Sequence, residues 1–152
     1  MRKIIAALIL FIGVNSVFGQ NLNLFNRKDD LKNFSAKTTY VVIQGNNSLE
    51  DIVLMDAVKE HWHLSPYEFC TMEEFEEYRT SDEFYFLVSV EGKFRKDNIP
   101  TISYLTLVKG GQGAKEGIDK MLEVVSMPVA SAQSPSGREF VFLPALLEII
   151  QN

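Results

Sequence analysis

Two places in this chain bring together residue types that do chemistry. The first is His61-Trp62-His63, with Cys70 a few residues on. Two imidazoles are potential zinc ligands, but on a helix they share a face only when three or four residues apart. A spacing of two suits a strand, and Glu60 or Glu68 would have to complete the set. The plainer reading is a helix C-terminus, where the dipole favours His and Trp62 covers the edge of the core. The same histidines with Cys70 offer a base and a nucleophile for a small hydrolase, with an acid to orient the base. Nothing in the spacing favours that arrangement. Tyr67 and Phe69 place Cys70 in a strand, where a lone cysteine behaves as a small buried hydrophobe. No basic neighbour in sequence activates the thiol.

The second place is the glycine-rich turns. Gly110-Gly111-Gln112-Gly113 follows a strand and precedes a helix, which is the setting of a phosphate loop. The pattern fails in detail. A P-loop needs Gly-Lys-Ser/Thr, and here Lys115 stands between Ala114 and Glu116. A dinucleotide fingerprint needs its third glycine three residues after the second, and Gly111, Gly113 and Gly117 miss that by one. The amides of Gly111 and Gly113 remain candidates for holding an anion at the start of the following helix. Gly45, Asn46, Asn47 and Ser48 end the first strand, where ligands bind in parallel α/β sheets. These four residues are also ordinary turn and cap formers. Glu73-Glu74 and Glu76-Glu77 read as a solvated helix face, because paired-acid chemistry needs a cleft. No Gly-x-Ser-x-Gly nucleophile pattern is present. The reading assigns no catalytic residue, no metal site and no cofactor.

The elements that position these residues follow from periodicity. Thr38 to Gln44 is β-branched and aromatic, which predicts a buried strand. Ser48 with Asp51 resembles a capping box, and the helix it opens runs to Trp62 with Ile52, Met55, Val58 and Trp62 as its apolar face. Tyr67 to Cys70 is a short strand. Thr71 with Glu74 is a second capping box, opening a helix whose inner face is Phe75 and Tyr78. Phe84 to Val90 is apolar on both alternating faces and predicts a central strand. Thr101 to Val108 is another strand, joined to it by a segment too short for a parallel crossover, so the two form an antiparallel pair. The spacing of Ile118, Met121, Leu122 and Val125 predicts a helix over 114–126. Met127 to Gly137, rich in Ser, Pro and Ala, reads as an exposed loop. Phe140 to Leu143 is a short apolar run with strand character. Pro144 opens a final helix over 145–151. The order is β-α-β-α-β-β-α-(β)-α. It predicts one α/β domain, a mixed, partly parallel sheet of about four or five strands with helices packed on it.

The first nineteen residues set the compartment. Arg2 and Lys3 form a basic head, 4–14 is an uncharged apolar run, and Val17 and Gly19 suit the small pockets of a signal peptidase. This is the pattern of a secretory signal peptide cut between Gly19 and Gln20, and it resembles bacterial export signals. The run is short for a spanning helix, which needs about 20 apolar residues. Cys70 is the only cysteine, so none lies at the cut to carry a lipid. Residues 20–37 form a polar lead-in, and 38–152 the domain. The mature chain keeps 13 basic residues against 20 acidic, a net charge of −7, and no basic cluster stands uncompensated. Such a surface repels nucleic acid and anionic lipid.

The sequence therefore describes an exported, soluble α/β domain, periplasmic or secreted, that acts by binding a protein partner or a small ligand. The alternative is a small periplasmic hydrolase using the Gly45 turn, His61, His63 or Cys70. Export is tested by mass spectrometry of the protein recovered from the periplasm of a bacterial host. The expected mass begins at Gln20, whereas a mass retaining Met1 overturns the localisation.

Overall fold

The computed structural model describes residues 31–45, 48–93 and 98–152. The leader, the lead-in up to residue 30, and Asn46 and Asn47 lie outside the described residues. The unit that carries the sheet runs from Asn33 to Asn152. Its strands are β1 (Thr39–Ile43), β2 (Tyr67–Thr71), β3 (Tyr85–Gly92), β4 (Ile102–Lys109) and β5 (Leu122–Ser131). Three helices join them: α1 (Leu49–His61), α2 (Met72–Tyr78) and α3 (Leu143–Gln151). The sheet order is β2-β1-β3-β4-β5, with β1 parallel to both β2 and β3, and β4 antiparallel to β3 and β5. It is the mixed α/β sheet that alternation of strand and helix, followed by a hairpin, implies.

The middle strand explains the layout. Tyr85, Phe86 and Leu87 are fully buried and Val88 nearly so. Successive side chains point to opposite faces, so β3 needs apolar cover on both sides. One face, here the helical face, carries Val41, Tyr85, Leu87, Leu105 and Leu107 under α1 and α3. Leu54, Val58, Trp62, Leu143, Leu147 and Ile150 close that core. Phe34, from the end of the lead-in, joins it edge-on to Tyr85 with centroids 4.4 Å apart. The other face carries Val42, Cys70, Phe86, Val88 and Val108. Its cover is thinner: the two-turn α2, through Phe75, and a short segment holding Ala114 and Met121.

Local chemistry fixes the helix starts. Ser48 Oγ accepts from Asp51 N at 3.0 Å at the head of α1. Asp51 is itself buried, and its carboxylate accepts from Gln44 N at 3.0 Å and Gly45 N at 3.2 Å. This ties the end of β1 to the first turn of α1. At α2 the capping box is complete: Glu74 N donates to Thr71 Oγ1, and Thr71 N donates to Glu74.

Four local expectations are corrected. The helix over 114–126 is replaced by two 3-10 turns, Gln112–Glu116 and Ile118–Lys120, followed by β5. Gly117, at φ 142°, stands between the turns and interrupts any helix. The loop assigned to 127–137 is in its first half the rest of β5. That strand hides because it skips register twice, with Val124 and Val129 unpaired in the ladder, so period-2 alternation is lost. Pro128 is tolerated because β5 is an edge. The run 140–143 is not a strand: Glu139–Phe142 is a 3-10 turn that points Phe140 and then Leu143 inward. On α1 the apolar face is rotated. Val58 and Trp62 are buried as expected, but Ile52 is 49% exposed and Leu54 takes its place. The inward pull of Asp51 sets that rotation.

Asp51→Ala removes the acceptor for two amides at the β1–α1 junction. The expected loss is about 1–2 kcal/mol of stability, read as a lower urea midpoint at unchanged slope. An unchanged midpoint would show that the tie carries no weight.

Candidate functional site

The residues singled out by sequence fall at separate places in the fold. Gly45 lies beyond the C-terminal end of β1, and its amide is taken by Asp51. Ser48 is the α1 cap. Gly111 follows β4, whose antiparallel pairing to β3 puts it at the opposite end of the sheet from Gly45. Gly111 N donates to Arg79 O at 2.9 Å. Gly113 packs so closely that a Cβ there would sit 2.6 Å from Lys120 O. Arg79 Nη1 donates to Ala114 O, holding the segment against the end of α2. Gly113 thus serves close chain packing, and Gly111, at φ 153° with its amide bonded to Arg79 O, serves the turn; both lie at the other end of the sheet from Gly45.

His61 and Cys70 lie under different layers. Cys70 is buried among Val42, Phe75 and Phe86, while α1, which carries His61, covers the other face. Burial, with a smaller push from Glu74, raises the Cys70 thiol to about 12. A thiol held neutral, with a sheet between it and the imidazole, is no nucleophile for a Cys-His pair. His63 is exposed. With His61, Leu64, Glu148, Gln151 and Asn152 it lines a shallow groove of about 350 Å³. Gln151 organises this groove. Its Oε1 accepts from His63 N at 2.6 Å and Leu64 N at 3.1 Å, and its Nε2 donates to His61 O at 2.7 Å and Leu147 O at 3.1 Å. The four bonds use the whole amide to fasten the end of α3 to the end of α1. Among the described residues, no three His, Cys, Asp or Glu side chains are placed to hold a metal ion.

A different concavity opens on the thinly covered face. Val90 of β3, Tyr104, Thr106 and Val108 of β4 and Ser126 of β5 form its floor. Ile118, Asp119, Met121 and Glu123 wall one side, and Glu91 stands at the rim. The volume is about 310 Å³, at the lower end of the range for small-molecule sites, roughly 300–1,000 Å³. Thr106 is buried, and its hydroxyl shares a 2.7 Å hydrogen bond with Ser126 Oγ. Tyr104 lies across Gly92: a Cβ on Gly92 would sit 2.7 Å from its Cε2. The missing side chain gives the ring its seat, and the ring in turn covers the bare backbone. No sequence motif marks these residues, because three strands and the wall contribute them. The one signal was in β4, where Tyr104 and Thr106 alternate with Leu105 and Leu107 and so put polar atoms on a sheet face that should be apolar.

Fold and cleft together define a mixed α/β domain with one sheet face sealed and the other half open. No protein-family model, no curated protein and no solved structure matches the chain.

The raised thiol has two measurable consequences. Cys70 should react with iodoacetamide at pH 8 far more slowly in the native protein than in urea, and equal rates would show that it is accessible. Because the folded-state value exceeds the unfolded one, its stabilising contribution is complete below the ordinary thiol value of about 8.5 and is lost as pH rises towards 12. Tyr40 shifts in the same direction, through burial first and then Glu68. The urea midpoint should therefore fall across that alkaline window, and Cys70→Ala should flatten part of the fall.

Proposed function

We propose that this protein is an exported binding domain without a catalytic role, and that its ligand site is the cleft on the half-open sheet face. The leader-like first nineteen residues support export. The observation that carries the binding reading is the cleft itself. It combines an aromatic ring seated on Gly92, a hydroxyl pair of buried Thr106 with half-buried Ser126, and an apolar floor, in a concavity sized for a small molecule. The hydrolase reading loses support with the separation of His61 from Cys70. Gly111 and Gly113 enter this reading as the residues that fold the wall of the cleft.

A second reading, a protein partner, is favoured by the outer side of the helical layer. Val141 is 75% and Phe142 65% exposed, and Ile149, Leu49 and Ile52 are exposed on the neighbouring α3 and α1. Large apolar side chains gathered on adjoining elements mark interaction surfaces.

Native mass spectrometry of the protein from its expressing host separates the two. The cleft reading expects added small mass that leaves on denaturation and is lost in Gly92→Ala. A methyl there displaces the Tyr104 ring while the backbone conformation stays accessible to alanine, so the variant should still fold cooperatively. A bare chain mass in the wild-type protein removes support from the cleft reading and turns the search to partners of the Phe142 surface.

A further inference from the structure

We propose that the ligand of the sheet-face cleft is a small uncharged molecule with an apolar body and a hydrogen-bond acceptor, such as a carbonyl oxygen, near its middle. The inference rests on the cleft being the binding site and adds the chemistry of what enters it. The strand ladder fixes where each kind of group lies. On β4, Tyr104, Thr106 and Val108 share the open face at intervals of roughly 7 Å. Val90 stands opposite Tyr104, and Ser126 opposite Thr106. The hydroxyl pair therefore sits at the centre of the floor with apolar surface on both sides. Tyr104 and Val90 lie toward one end, and Val108 with Ile118 and Met121 toward the other. Such a floor accepts a hydrocarbon body by displacing water.

The pair at the centre has a hydrogen to spare. Thr106 Oγ1 and Ser126 Oγ are 2.7 Å apart, and neither makes another hydrogen bond to a described residue. Each oxygen thus has a partner, yet two hydroxyls carry two hydrogens and the shared bond uses one. Thr106 is 3% exposed, whereas Ser126 is half-buried. A donor left bare in the interior is costly, so Thr106 donates to Ser126, and the hydrogen of Ser126 is the one turned to the cleft. It calls for an acceptor. Charge has no counterpart at this level. Lys120 Nζ lies 2.9 Å from Asp119, and this hydrogen bond and charge hold the Asp119 carboxyl below its ordinary range. Glu91, paired with Ser103, alternates to the helical side of β3. Glu123 is exposed, where water screens it. An ion moved onto the floor loses its water and meets no opposite charge, whereas a neutral acceptor gains the Ser126 hydroxyl.

The test uses three probes that share two propyl arms and differ at the centre: 4-heptanone, dipropylammonium and 2-propylpentanoate. Toluene serves as an apolar probe without a carbonyl. Each is titrated into the full folded protein while the methyl resonances of Val90, Val108, Ile118 and Met121 are followed. The ketone should shift these resonances with an affinity about tenfold or more above that of either ion. The double variant Thr106→Val, Ser126→Ala removes both hydroxyls together, so it orphans neither. In it the ketone should bind about three- to tenfold more weakly, the worth of one neutral hydrogen bond, while toluene binds at least as tightly as before. The comparison of the ketone with the two ions needs no variant and stands even if the double variant does not fold. Shifts with toluene but not with the ketone, or a ketone affinity that survives the double variant, overturn the acceptor assignment. An ion that binds as tightly as the ketone overturns the assignment of an uncharged ligand. These outcomes leave the cleft as the site. No shift at these methyls with any of the four probes overturns the cleft reading as well.

Discussion

Burial of β3 on both faces is the constraint from which the rest of the structure follows. Four consecutive side chains, Tyr85 to Val88, are almost completely removed from water. Because they alternate, no single layer of helices can cover them. The strand must be internal, with β1 on one side and β4 on the other, and each face needs its own cover. At about 25 cal/mol per Å² of apolar surface, leaving either face of such a strand bare would cost much of the net stability of a domain this size. The helices differ greatly in what they bring to this task. α1 and α3 run along one face and close it, fastened at their ends by Gln151. α2 has only seven residues, and it and the glycine-punctuated 3-10 turns shield the β1–β3 side of the other face.

The cleft is a consequence of that unequal cover. Toward β5 the thin layer runs out, and a strand face that would ordinarily be apolar carries Tyr104, Thr106 and Ser126 instead. Each of these departures is compensated locally. The two hydroxyls satisfy one another, and Tyr104 lies on Gly92. A surface that is neither a packed core nor an ordinary solvated face, and that is held in shape by its own contacts, has the properties of a preformed recognition site. On the helical face, the groove at the His61 end spends its polar groups on holding α3 to α1.

The sequence was legible wherever a single physical signal dominated. The double-sided apolar run at β3, the capping residues Ser48 and Thr71, and the short connection between β3 and β4 led to the correct elements and to a mixed sheet. It misled where two signals overlapped. Ile118, Met121, Leu122 and Val125 have helical spacing, yet Gly117 breaks the turn before them and the two bulges of β5 put Val124 and Val125 together on the helical face. Those bulges also erased the alternation that would have revealed the strand beyond residue 126. The glycine turns were visible as turns, but their amides at Gly45 and Gly111 are committed to the fold through Asp51 and Arg79 O. The cleft residues carried no local pattern because strand pairing, rather than chain proximity, assembles them. Only the register of β3 with β4 and of β4 with β5 puts Val90, Tyr104, Thr106 and Ser126 into one concavity.

The central claim is that the half-covered sheet face is where this domain recognises its ligand. The most direct measurement is an amide and methyl NMR map of the folded protein against a chemically diverse set of small fragments. The account predicts that perturbations converge on Tyr104, Thr106, Val108, Met121 and Ser126, whatever the fragment that gives them. Perturbations gathered instead around Leu49, Phe142 and Ile149, or scattered without a common centre, would contradict it.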